Sequence, residues 1–111
     1  MHSEQDLISF QRQDNCIILQ PHGEIDLSNS PALRKHILNA LNMVDDVQVD
    51  FSDVDYIDSS GIAALVEGLQ FAQENNKHFA LRTPSPRVRS ILELARLDKV
   101  FTILDAHART D

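Results

Sequence analysis

Basic residues are scarce in this chain. Its 111 residues carry ten Lys plus Arg against 17 Asp plus Glu, a formal charge of -7. A surface of that sign repels nucleic-acid phosphates and anionic lipid alike, so neither nucleic acid nor membrane is an expected partner. Cysteine is nearly absent: Cys16, inside the apolar run CIILQ, has no internal disulfide partner and reads as a packed side chain. With three glycines and four prolines there is no linker, repeat or low-complexity tract. No apolar run approaches the roughly 20 residues that span a bilayer. The start, MHSEQDLISF, lacks the basic, apolar and small-residue regions of a signal peptide, which makes the cytoplasm the expected compartment. What is present is ordinary: 42% hydrophobic and 24% charged residues, enough for one soluble domain over residues 1–111. Its core is expected over about 6–105, with AHARTD at 106–111 as a loose tail.

Hydrophobic periodicity orders the elements. The stretch DLISFQRQDNCIILQPHGEIDL reads as two extended runs broken at Asp14-Asn15, a hairpin. In SNSPALRKHILNALNMV, Ser30 is the expected N-cap, Pro31 opens the helix, and Leu33, Ile37, Ala40, Leu41 and Val44 share one face. Asp45-Asp46 breaks it, and VQVDFSDV is a strand with Val47, Val49 and Phe51 on one side. Ile62, Leu65, Val66 and Leu69 recur at helical spacing and predict a second helix over about 59–74, ended by Asn75-Asn76. HFALRT is a short strand. PSPRVRSILELARLD is a helix entered through Pro84 and Pro86 with Val88, Ile91, Leu92 and Ala95 inward, and VFTIL is a last strand. The predicted order is β-β-α-β-α-β-α-β. Strand-helix-strand passages favour right-handed parallel crossovers, so a mixed sheet of α/β class follows.

The stretch YIDSSGIAALVEGLQ, at 56–70, concentrates the candidate chemistry. A serine hydrolase needs a base within reach and a glycine on both sides of its elbow, and IDSSGIA lacks the first one. The histidines, at 2, 22, 36, 78 and 107, are scattered one per element. There is no H-E-x-x-H, C-x-x-C, calcium-loop or nucleotide-loop signature, so metal and cofactor are expected to be none and an enzyme is disfavoured. Two readings of Asp58, Ser59 and Ser60 remain. One is a helix N-cap, in which any of the three accepts from free amides. Gly61 fits that reading poorly, because glycine in a first turn weakens the helix unless backbone or a partner must come close. The other is a phosphorylation site, where a phosphate of about -1.5 to -2 charge is tolerated by the helix N-terminus and changes the surface without refolding it. Tyr56, Phe51 and Phe101 read as packing residues. Arg82, Arg87 and Arg89 read either as solvent-facing charge or as a contact for an acidic partner.

Joined together, GEID, then DFSDVDYIDSSG about 35 residues later, then LELARLDKVFTIL, resemble the STAS domain family, especially bacterial single-domain anti-sigma factor antagonists. The resemblance spans about residues 6–105. It implies a four- to five-stranded mixed sheet with helices mainly on one face. It also implies partner switching: the unphosphorylated domain binds an anti-sigma factor that is a serine kinase of the histidine-kinase-like ATPase type, and is released on phosphorylation. A metal-dependent serine phosphatase reverses the modification. By the same resemblance Ser59 is the phosphorylated residue, with Ser60 the second choice. Gly23, Glu24, Asp26, Asp58, Ser60 and Gly61 are carried over as partner-binding positions. Where many members have SSGLG, this chain has Ser59-Ser60-Gly61-Ile62-Ala63, and alanine at 63 stiffens the helix start. Members with the same turn also serve in lipid-transport ABC complexes, stressosomes, and regulators of biofilm or secretion that touch no sigma factor.

Overall fold

A computed structural model describes residues 8–105; the expectations at His2, His107 and the 106–111 tail lie outside them. Strands β1 (Ile8–Gln13) and β2 (Cys16–Pro21) form the expected antiparallel hairpin, with Asp14 left-handed at φ 56° in the turn. Asn15 then locks the hairpin to Asp45, the residue before the strand that lies beside β2 in the sheet. Its Nδ2 donates to Asp45 Oδ2 at 2.9 Å, and its Oδ1 accepts from the Asp45 amide at 3.0 Å.

A short β3 (Gly23–Ile25) precedes helix α1 (Ser30–Met43); then come β4 (Asp46–Asp50), β5 (Val54–Ile57) and α2 (Ser59–Glu74). The chain continues through β6 (His78–Arg82), α3 (Pro86–Leu94) and β7 (Thr102–Leu104). The main sheet has five strands in the order β1-β2-β4-β6-β7, mixed as expected: β1 antiparallel, the rest parallel. Strands β3 and β5 were not foreseen as strands. They pair parallel in a separate two-stranded sheet, with Ile25 opposite Ile57. Three and four residues are too short to show a period, so GEI read as the tail of the preceding run and VDYI was not separated from the strand-like run before it.

Alternation in the main sheet sends Ile17, Leu19, Val47, Val49, Phe79 and Leu81 toward the helices, and all are buried. Helices α1 and α2 lie against that face and α3 packs on β5. Leu33, Ile37, Ala40, Leu41 and Val44 are buried from α1 as their spacing predicted, and Phe51 and Phe101 are core residues, Phe101 edge-on to Phe79 at 6.4 Å. Two details differ. The N-cap of α1 is Asn29, not Ser30, and Ser30 is buried within the first turn. Ala95 ends α3 as its C-cap and faces solvent, because the helix stops at Leu94 and cannot carry the inward face further. No helix among the described residues is long and apolar enough to cross a membrane. Cys16 is half-buried; burial first, and Asp46 beside it, push its thiol up from the ordinary value.

Candidate functional site

The two-stranded sheet ends in two turns that are chemical copies of each other. After β5 the chain reads Ile57-Asp58-Ser59-Ser60, and after β3 it reads Ile25-Asp26-Leu27-Ser28. In each, the aspartate Oδ1 accepts from the amide and the hydroxyl of the serine two residues on. For Asp58 the Ser60 distances are 2.9 Å to the amide and 2.6 Å to the hydroxyl; for Asp26 the Ser28 distances are 3.0 and 2.6 Å. This is the local Asx geometry that short acidic side chains favour at turns. The Asp58 amide donates to the Ile25 carbonyl at 3.0 Å, so the turns are held side by side.

Asp58 is the N-cap of α2, and it also accepts from the Gly61 amide at 3.2 Å. The Ser60 hydroxyl first, opposed by desolvation and then aided by the Gly61, Ser60 and Leu27 amides, holds its carboxyl below the usual carboxylate range. Because the folded-state value is the lower one, the stability this charge contributes is complete above the ordinary value of 3.8 and lost as pH falls through the lowered value. An Asp58→Asn variant keeps the acceptor oxygen and drops the charge. Its urea midpoint is expected to fall less steeply than wild type with acidification between about pH 7 and pH 2, and parallel curves would refute the assignment.

The structure separates the two serines. Ser60 is half-buried with its hydroxyl spent on Asp58. Ser59, the first helical residue, is exposed, and among the described residues its hydroxyl makes no hydrogen bond. Gly61, expected at the partner surface, lies beneath it instead. A Cβ there would stand 2.5 Å from Ile57 Cγ1 and 2.7 Å from Ile25 Cγ2, so the glycine is required by the core and lets α2 sit on the small sheet. That is why it occupies a first turn.

The other positions singled out surround this pair of turns. Glu24 is exposed on β3 opposite Tyr56, and Gly23 adopts φ 78° while its amide donates to the Asp53 carbonyl at 2.9 Å. Asn29 braces the Asp26 turn from inside: its Oδ1 accepts from the Asp26 amide and its Nδ2 donates to the Glu24 carbonyl, both at 2.9 Å. The same side chain therefore caps no α1 amide. Tyr56 is half-buried under the Arg87 guanidinium, 5.3 Å from the ring centre, which is a cation–π contact as well as packing. Of the other two arginines, Arg82 donates to Gln48 Oε1 at 3.3 Å and Arg89 pairs with Asp105. His22 Nδ1 lies 3.3 Å from Asp53 Oδ2 in an exposed pair that the sequence spacing did not suggest. Among the described residues no group of three or more His, Cys, Asp or Glu is placed to hold a metal ion.

Sequence reading missed one residue of the site. Leu27 occupies in its turn the place that Ser59 occupies in the other, and it is 75% exposed. The repeated I-D-x-S was the signal that could have found it.

Comparison with known proteins places this geometry. The family model described as "Mlab, STAS domain" matches residues 8–105. A protein of Thermotoga maritima provisionally named an anti-sigma factor antagonist is 30% identical over 101 residues, covering 89% of each chain. The anti-sigma-B factor antagonist of Bacillus subtilis is 23% identical over 96 residues, covering 86% of this chain and 88% of that one. In three dimensions the crystal structure of a Thermotoga maritima protein provisionally named an anti-sigma factor antagonist superposes with a TM-score of 0.84 at 25% identity, over 96% of this chain and 93% of that one. The unphosphorylated form of the anti-sigma factor antagonist SpoIIAA shares the fold with a TM-score of 0.78 at 20% identity, over 89% and 87% of the two chains. With a family model that spans all of the described residues, the chain belongs to the STAS domain family.

Proposed function

We propose that this domain is a non-catalytic, cytoplasmic partner-switching regulator of the anti-sigma factor antagonist type, written on at Ser59. The observation that carries the reading is the division of labour between the serines: one hydroxyl locked in the cap, the next one exposed and unspent at the first position of a helix. The relatives' names point the same way, and SpoIIAA has also been solved in a phosphorylated form with this fold, at a TM-score of 0.72. In its unmodified state the domain binds an anti-sigma factor that is also a serine kinase of the histidine-kinase-like ATPase type.

Transfer then proceeds from ATP. Ser59 Oγ forms the new bond to the γ-phosphorus, the bridging P–O bond breaks, and ADP leaves. The hydroxyl proton goes to a base on the kinase, because Asp58, the nearest acid in sequence, is already committed to the Ser60 hydroxyl and the cap amides. A metal-dependent phosphatase hydrolyses the phosphoserine and restores the binding form. Glu24, Asp26 and Asp58 line the face the partner meets, with Gly23 and Ser60 fixing the turns that present it. Incubation with the cognate kinase and ATP, followed by mass-spectrometric mapping, is expected to find phosphate on Ser59 and none on a Ser59→Ala protein. Phosphate that persists in Ser59→Ala, at Ser60 or elsewhere, overturns the assignment.

A second reading is kept by the family model's Mlab description: a constitutive subunit that docks the same turns on the ATPase of a lipid-transport ABC complex. Stable co-purification with such an ATPase, and no phosphate uptake, separates it from the first.

A further inference from the structure

We infer that Leu27 is a second recognition element of the same face: an apolar anchor, displayed beside Ser59, for a partner that offers a shallow apolar pocket bordered by Lys or Arg. The inference rests on the partner-switching reading above and names the chemistry by which that partner recognises the domain.

The turn spends its polar groups inward. Asp26 Oδ1 takes the Ser28 amide and hydroxyl, the Asp26 carbonyl takes the Asn29 and Ser30 amides at 3.1 and 2.8 Å, and Asn29 ties Asp26 and Glu24 together. The Leu27 amide faces Asp58. What is left pointing out is an isobutyl side chain, held by the device that holds the serine on the neighbouring strand. A leucine serving the core would be turned inward, as Leu33 is six residues later. Fixing the backbone that carries this apolar side chain removes much of the ordering cost a partner would otherwise meet.

Charge indicates the rim of the matching pocket. Glu24, Asp53 and Asp55 are exposed on or beside the same two strands, and Asp26 and Asp58 underlie the two displayed residues. A basic border on the partner complements them and steers the encounter. The apolar centre then contributes by leaving water.

The test uses the purified cognate anti-sigma factor as probe, with wild type, Leu27→Ala and Leu27→Lys proteins. Removing a leucine's contact area is expected to raise Kd, and the KM of Ser59 phosphorylation, by about tenfold in Leu27→Ala. The kcat and the melting temperature should stay unchanged, since Leu27 touches neither the core nor the phosphoryl group. Leu27→Lys should lose more, meeting the basic border. Ser28→Ala, which frees Asp26 from the hydroxyl, should shift KM in the same direction by less. Phosphate entering Ser59 with Kd and KM unmoved in both Leu27 variants overturns the anchor and leaves the Ser59 reading intact. Leu27-dependent binding without any phosphate uptake supports the anchor and overturns the Ser59 reading. A wild-type protein that neither binds the factor nor takes phosphate overturns both.

Discussion

A Gly61→Ala protein is expected to lose about 3 kcal/mol of folding stability, the upper end of what overpacking a core ordinarily costs. The added methyl would fall 2.5 Å from Ile57 Cγ1, 2.7 Å from Ile25 Cγ2 and 2.9 Å from Ile57 Cδ1. Two of those atoms hang directly on β-carbons of paired strands and cannot swing away. Either α2 lifts from the small sheet or the β3–β5 pair shifts under it, and each movement also disturbs the turns. Helix propensity alone predicts the reverse, a gain of up to about 1 kcal/mol from replacing a helical glycine, so the sign of the result discriminates. Urea denaturation reads it, the loss being a large share of the roughly 5–15 kcal/mol that keeps a domain folded. Two companions sharpen the result. Gly23→Ala, with no heavy atom within 4 Å of the new methyl but a φ of 78°, should cost only about 1 kcal/mol of backbone strain. Ile57→Ala should partly rescue Gly61→Ala in a double-mutant cycle, because it opens the space the methyl needs. A Gly61→Ala protein as stable as wild type would return this glycine to the partner surface.

The second large effect concerns charge at residue 59. Ser59→Glu is expected to weaken binding to the anti-sigma factor about 100-fold, about 2.7 kcal/mol, while Ser59→Ala binds within about threefold of wild type. A new anion there stands among Asp58, Asp26 and Glu24, on a protein that is already at -7. A partner that seats closely on the Ser59 hydroxyl would have to bury that carboxylate where it offers no matching group, and taking a charge out of water without a partner costs several kcal/mol. The fold should not register the change, since the side chain is exposed and a negative group at the first turn of a helix agrees with its dipole. The measurement is titration calorimetry paired with thermal melts. Equal affinities for the glutamate and alanine variants would detach binding from the charge of this residue, and a lowered melting temperature in Ser59→Glu would point to unfolding rather than to a blocked contact.

Long amphipathic elements were readable from sequence because their apolar spacing is dictated by what they bury. Helix α2 begins and ends at the predicted residues, and the inner faces of α1 and α3 were largely correct. Errors arose where one residue type had two uses. Asn29 and Ser30 are both good N-caps, and Asn29 holds the position while its side chain braces the loop before the helix. Gly61 was legible as an anomaly but not its cause, since closeness to a partner and closeness to Ile57 leave the same letter in the sequence. Strands β3 and β5 escaped because their order comes from each other, across some 30 residues, and not from local alternation. Leu27 escaped because a leucine between polar residues looks like any other until its exposure is known. The choice of Ser59 over Ser60 came from family resemblance, and the locked Ser60 hydroxyl gives it a physical reason.

The paired turns also bear on speed. Because each is closed by its own aspartate and serine and the two are bonded to each other through Asp58 and Ile25, nothing on this face has to order when a partner arrives. Association is then limited by encounter and orientation instead of by a conformational step, in the range typical of rigid docking, about 10⁵ to 10⁷ per molar per second. In the switch proposed above, the lifetime of each state is set by the enzymes that add and remove the phosphate, and the domain itself contributes no delay.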